Sequence, residues 1–232
     1  MNELTRIAYR NVLAIAAGLA IALTSGCATV DISLLPMYGD AEKTAEQIQA
    51  DKTYLDYMDA RFDDRRAASK TAARAGWNYW YAGDWQTAMR RFNQSWLLDP
   101  DNFDAYWGYV VILGVQGKYR ESSDMGDIAL DLEPRNHKLL CDVAYSYGNY
   151  AAPIKFSNAE KEKYLQKAFA AYAQGAAIAP GQPCMSWAVT LYNDGQYLAA
   201  WEKVKQAEDL GYHYPPQFLK ELSGKLPRPT SL

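Results

Sequence analysis

The sequence predicts an all-α fold, a solenoid of stacked helix pairs, and three observations carry that prediction. Leu98-Asp99-Pro100 and Leu132-Glu133-Pro134 are matched triplets whose prolines stand 34 residues apart, the length of one helix–turn–helix unit. A turn glycine followed by an aromatic sits inside each unit, as Gly83-Asp84-Trp85 and then Gly117-Lys118-Tyr119. Small residues at Gly76 and Ala88 let paired helices approach, while Tyr79, Trp85 and Phe92 fill the space beside them.

The start of the chain stands apart from this array. Arg6 and Arg10 form a basic lead, the apolar run Val12 to Leu23 follows, and Thr24-Ser25-Gly26 precedes Cys27. The run is too short and too rich in alanine for a membrane span and has the layout of a cleaved export signal. The stretch resembles a bacterial lipoprotein signal, although Thr24 stands where such signals usually carry Leu. An ordinary secretory signal that happens to contain a cysteine is the alternative. The resemblance implies removal of residues 1–26, acylation of Cys27 with chains such as palmitate, and, because Ala28 follows, sorting to the outer membrane. Two or more chains give lasting attachment to a bilayer.

The remaining elements follow in order. Residues 27–40, with Pro36 and Gly39, read as a tether between lipid and domain. Thr44-Ala45-Glu46-Gln47 has capping-box spacing, and Ile48, Leu55, Met58 and Phe62 place an N-terminal helix within 41–68. The first repeat covers 69–102 and closes at Pro100. The second, 103–136, keeps Tyr106, Leu113, Gly117, Tyr119, Ala129 and Pro134 but has Ser122 and Gly126 on its second helix, predicting looser packing there. The third begins near His137, and its closing proline, Pro180, lies 46 residues after Pro134. The surplus is placed in a loop near 151–162, either a functional excursion or a solvated one. The fourth runs from Gln182 to Gly211. Residues 212–232 supply a capping helix that starts at a proline, which an open array requires, and then a tail.

Residues 69–211, and above all Ala88 to Pro100, closely resemble the tetratricopeptide repeat (TPR). That resemblance implies a right-handed α-solenoid of about four TPR helix pairs. It further implies a concave groove, lined by the first helix of each pair, that holds a protein or an extended peptide.

Chemistry of other kinds finds little support. The net charge is −3, with 24 basic and 27 acidic residues and no basic cluster, which argues against nucleic acid. The two histidines, His137 and His213, have no metal-ligand spacing with cysteine, and no nucleophile or phosphate-loop motif is present. Asp63-Asp64 and Asp99 with Asp101 read as helix starts and turns. The expectation is therefore a non-enzyme without metal or cofactor; the oligomeric state is left open.

Cys141 and Cys184 are expected on the first helices of adjacent repeats, either as a disulfide in an oxidising compartment or as buried apolar thiols. By the family's register, Trp77, Trp80, Tyr81, Trp107, Asp142, Tyr145, Asn149, Tyr192 and Asn193 fall on or near the groove. For Trp77, Trp80 and Trp107 packing between helices is the competing reading. The carboxylate clamp of chaperone-binding members is not matched: Lys138 suits one place, but Ala73, Trp77, Gly108 and Asp142 occupy others. An envelope adaptor that binds protein is the leading expectation. A glycan-binding scaffold in exopolysaccharide export, with aromatic rings stacked on sugars, is the alternative.

Overall fold

The computed structural model describes residues 31–39, 42–152 and 158–230. The predicted signal, the acylation site Cys27 and residues 153–157 of the expected loop lie outside the described residues. Among the described residues are ten α-helices, two 3₁₀ turns and no strand. They form two compact units that divide between Ile112 and Leu113.

The N-terminal unit opens with 3₁₀ turns Ile32–Leu34 and Pro36–Tyr38, followed by α1 (Ala45–Asp59), α2 (Arg65–Tyr81), α3 (Trp85–Leu98) and α4 (Phe103–Val115), whose last residues cross the division. Thr44 and Gln47 exchange both bonds of a capping box at the start of α1. Asp64 accepts from the Ala67 N–H at 2.7 Å and opens α2. That cap divides the helical stretch expected over 41–68, so the first helix of the first pair begins at Arg65. Asp84 caps α3 in the same way, through the Thr87 N–H at 3.0 Å.

Phe92 on α3 is the wedge of this unit and is fully buried. A β-carbon at Gly76 on α2 would lie 2.7 Å from its ring, and one at Gly108 on α4 would lie closer still. Two glycines on two helices therefore form the slot for one ring. A buried polar knot lies beside it. Ser69 Oγ donates to the Ser95 carbonyl at 2.8 Å, and Asn102 Nδ2 donates to Ser69 Oγ at 2.8 Å and Ser95 Oγ at 3.1 Å.

Residues 31–39 are docked on α3 rather than free as a tether. The fully buried Asn93 side chain accepts from the Met37 N–H at 2.9 Å and from Tyr109 Oη at 2.8 Å. Its amide nitrogen donates to the carbonyls of Ser33 and Leu35, both at 2.9 Å. All four hydrogen-bonding positions of the amide are thus filled, which offsets the cost of burying it. Arg90 adds bonds to Ser33 Oγ at 3.1 Å and Asp31 Oδ2 at 3.2 Å.

The C-terminal unit contains α5 (Tyr119–Leu132), α6 (His137–Ala151), α7 (Asn158–Ile178), α8 (Ser186–Asn193), α9 (Tyr197–Asp209) and α10 (Pro216–Lys225). Ser122 and Gly126 do not loosen α5. Ser122 Oγ lies 2.7 Å from Ser146 Oγ, and a β-carbon at Gly126 would stand 2.7 Å from Val143. The small residues bring α5 and α6 closer, the reverse of the expected slack. Much of the surplus in the third repeat is helix, since α7 has 21 residues where α3 and α5 have 14 each. Its N-terminal part is braced by Lys167 on Asp127 at 2.7 Å and by Tyr150 Oη donating to Glu160 at 3.1 Å.

Helices α2, α4, α8 and α9 end on the same device. Gly83, Gly117, Gly195 and Gly211 take φ between 73° and 81°, and the residue after each donates back to the carbonyl five positions earlier, as Asp84 does to Tyr79 at 3.0 Å. Phe218 and Leu222 of α10 join Trp201, Val204 and Tyr214 in one core, so the capping helix covers α8 and α9. The expected tail is pinned at its start. Trp201 Nε1 donates to the Leu226 carbonyl at 2.9 Å, and Arg228 pairs with Glu208 at 2.7 Å. No described helix is long and apolar enough to cross a membrane.

Candidate functional site

Trp77, Trp80, Tyr81 and Trp107 belong to the N-terminal unit, and Asp142, Tyr145, Asn149, Tyr192 and Asn193 to the C-terminal unit. In the N-terminal unit, Trp77 and Tyr81 stand four apart on α2, and Phe103 and Trp107 four apart on α4, so each pair shares a helix face. Trp77 sits at the centre. Its ring meets Trp107 edge-on at 4.8 Å, Phe92 at 5.2 Å and Tyr81 at 6.3 Å, while Trp107 stacks on Phe103 at 6.4 Å. Trp77 Nε1 donates to Asp104 Oδ1 at 3.2 Å. Burial holds the Asp104 carboxyl above its ordinary range, against the opposing pull of that bond and of Lys70.

This cluster is half core and half surface. Phe92 anchors it inside, Trp77 and Trp107 are half-buried, and Tyr81 is 46% exposed. Fixed rings of this sort offer contact area with few torsions to freeze. Trp80 is a correction: it is only 3% exposed, lies 6.0 Å from Trp85, and is part of the core. Standing one residue before Tyr81, it is turned about 100° around α2 from that exposed ring, toward Trp85.

In the C-terminal unit Asp142, Tyr145 and Asn149 lie along one stripe of α6, all partly exposed. Tyr145 meets Tyr119 edge-on at 6.4 Å, and its hydroxyl pKa is raised chiefly by burial. Asn149 Nδ2 donates to the Tyr145 carbonyl at 2.8 Å, so that amide is engaged on its own helix. Tyr192 packs on Tyr197 at 5.7 Å and Phe218 at 5.8 Å, which makes it part of the seat for α10. Asn193 is exposed at the end of α8.

Trp187 was not singled out for the site by sequence reasoning. It stacks on Tyr172 at 5.3 Å with planes 10° apart and carries Lys203 Nζ 3.6 Å over its ring. Lys203 comes from α9, ten residues beyond the end of α8 (Asn193), so no local spacing announces the pair.

Cys141 and Cys184 form a disulfide with their Cα atoms 5.4 Å apart. Cys141 lies on α6, whereas Cys184 lies in the turn just before α8 instead of on the helix expected for it. Gly175 on α7 lies beside the bridge, where a β-carbon would stand 3.4 Å from Cys184 Sγ, at contact distance. Its carbonyl is 3.0 Å from His137 Nδ1. The ligand atoms of His137, Cys141 and Cys184 all lie within 4.8 Å of one another. Both sulfurs are bonded to each other, so in this oxidised form they offer no thiolate to a metal.

No family model and no curated protein matches the sequence. Among solved structures, a thermophilic TPR protein of Thermus thermophilus matches with a TM-score of 0.59 and 17% identity, over 69% of this chain and 84% of that one. The likeness shows the fold: this chain is a tetratricopeptide-type α-solenoid. At that identity it shows the fold alone.

Proposed function

We propose that the protein is a non-enzymatic interaction scaffold of the bacterial envelope, acylated at Cys27, held at the outer membrane and facing the periplasm. The observation that carries the binding role is the Trp77–Trp107–Tyr81 cluster. It presents partly exposed rings on the first helices of two successive pairs, fixed from behind by Phe92 and Asp104. A protein segment in extended form is the occupant such a surface suits: rings contact its side chains, and the anchor raises local concentration at the membrane. The Cys141–Cys184 bridge agrees with an oxidising compartment.

In-cell cross-linking of the lipidated protein, followed by mass spectrometry of what co-purifies, tests this reading. One abundant envelope protein is expected, and its yield should fall when Tyr81 is replaced by Ala, a change at an exposed ring that leaves Trp80 and Phe92 in place. Polysaccharide in place of a protein partner would overturn the protein-binding role and favour sugar stacking on the same rings. Absence of acyl mass on the Cys27 peptide would overturn the lipid anchor and the outer-membrane attachment.

A further inference from the structure

The docked segment 31–39 gives the proposed anchor a consequence, and this inference rests on the acylation of Cys27. We propose that the clamp on α3 holds the N-terminal unit directly against the bilayer, with the Asp31–Arg90 edge of α3 as its membrane-proximal surface. The partner of that edge is the lipid headgroup layer.

The reasoning starts from chain length. Asp31 is the first docked residue, bonded through its carboxylate to Arg90, and Cys27 lies four residues before it. An extended chain spans at most about 3.6 Å per residue, so Asp31 stands within about 14 Å of an acylated Cys27 whatever path the link takes. Without the clamp the first fixed point would be Thr44, the cap of α1, which is 17 residues from Cys27. A flexible link of that length has a typical span of about 23 Å and a maximum of about 60 Å. Docking therefore replaces a long, loose tether with a short standoff.

The clamp is buried and fully hydrogen-bonded at Asn93, which closes four bonds to the segment and to Tyr109. Tyr38 packs near Trp96 at 6.4 Å and carries Lys43 Nζ 3.6 Å over its ring, and Lys43 in turn pairs with Asp51 of α1. The segment is thus tied to α3 on one side and, through Lys43, to α1 on the other. Asp31 pairs with the Arg90 guanidinium at this edge, so in this inference the acyl anchor, rather than that guanidinium, holds the edge at the headgroups.

The test uses the full lipidated chain in vesicles of phosphatidylethanolamine and phosphatidylglycerol at a molar ratio of about 3:1, which supplies an anionic headgroup layer. An acceptor dye is carried on the headgroups and a donor dye on Gln86→Cys, an exposed position one helical turn before Arg90 on α3. Efficient energy transfer is expected in the otherwise native chain. Replacing residues 31–39 by a Gly-Ser stretch of equal length, with helicity checked by circular dichroism, should lower the transfer when read with a dye pair of short transfer distance, comparable with the roughly 23 Å span of the loose link. Asn93→Ala should lower it in the same direction. Equal transfer in the native and Gly-Ser chains, both shown by mass to be acylated, overturns the standoff and leaves the adaptor reading intact. Absence of acylation in the native chain overturns the lipid anchor and this inference together.

Discussion

The two units meet the same packing demand with opposite assignments of large and small residues. In the N-terminal unit the second helix of the pair supplies the large group, Phe92, and the neighbouring first helices supply the slot, Gly76 and Gly108. In the C-terminal unit the second helix α5 supplies the small residue, Gly126, and the following first helix supplies the large one, Val143. Gly148 on α6 receives Thr190 from α8, so at that contact the slot stays on a first helix. Close approach needs complementary volumes across an interface and is indifferent to which helix carries which. A repeat position can therefore depart from its usual residue type and still pack tightly.

The units also differ in what ties them. The N-terminal unit is held by polar hubs, Asn93 on the docked segment and Ser69–Ser95–Asn102 between helices. The C-terminal unit is held by a covalent bridge and by braces at the lengthened α7.

The largest break in this comparison is expected from Phe92→Ala, which empties the glycine slot and should cost about 3–5 kcal/mol by urea denaturation. Reducing Cys141–Cys184 comes next. The bridge closes a 43-residue separation, so its loss should cost about 2–4 kcal/mol. Amide exchange should show the loss in α6 to α8, with the Asn93 clamp still protected; uniform loss across both units would contradict the distinction drawn between them.

Gly126→Ala sharpens the comparison further. Helix propensity alone would favour alanine by about 1 kcal/mol, but the Val143 contact predicts net destabilisation of about 1–3 kcal/mol from overpacking. Val143→Ala combined with Gly126→Ala should recover part of that loss, and additive losses would show that the two positions do not meet. The smallest effect is expected at Asp104. Its native pKa is raised above the usual 3.8 by burial, so its contribution to stability is full below that value and declines as pH rises through the native one. Asp104→Asn should therefore flatten the pH dependence of stability in the mildly acid range. A steeper dependence would contradict the raised pKa.

Periodic features were legible in the sequence because each follows from local spacing. The 34-residue recurrence of Pro100 and Pro134, the turn glycines and the Thr44 capping box required no knowledge of what packs where. Trp77, Tyr81 and Trp107 were placed on one surface by the same register. For Trp80 the sequence leaves groove and core open, because one residue of helical rotation, about 100°, decides between surface and core and aromatic identity suits both; the structure puts it in the core.

The sequence by itself determined that this protein is a stack of helix pairs, where each pair turns, and that a short helix covers its last face, since helix starts, stops and amphipathic periods act over a few residues. Only the tertiary structure decided that residues 31–39 are docked rather than loose, that Ser122 and Gly126 tighten α5, and that Cys184 meets Cys141 from a turn. Each of these depends on groups far apart in the chain, such as Asn93 with Ser33 or Gly126 with Val143. No local pattern records which distant partner satisfies a buried amide or fills the space above a glycine.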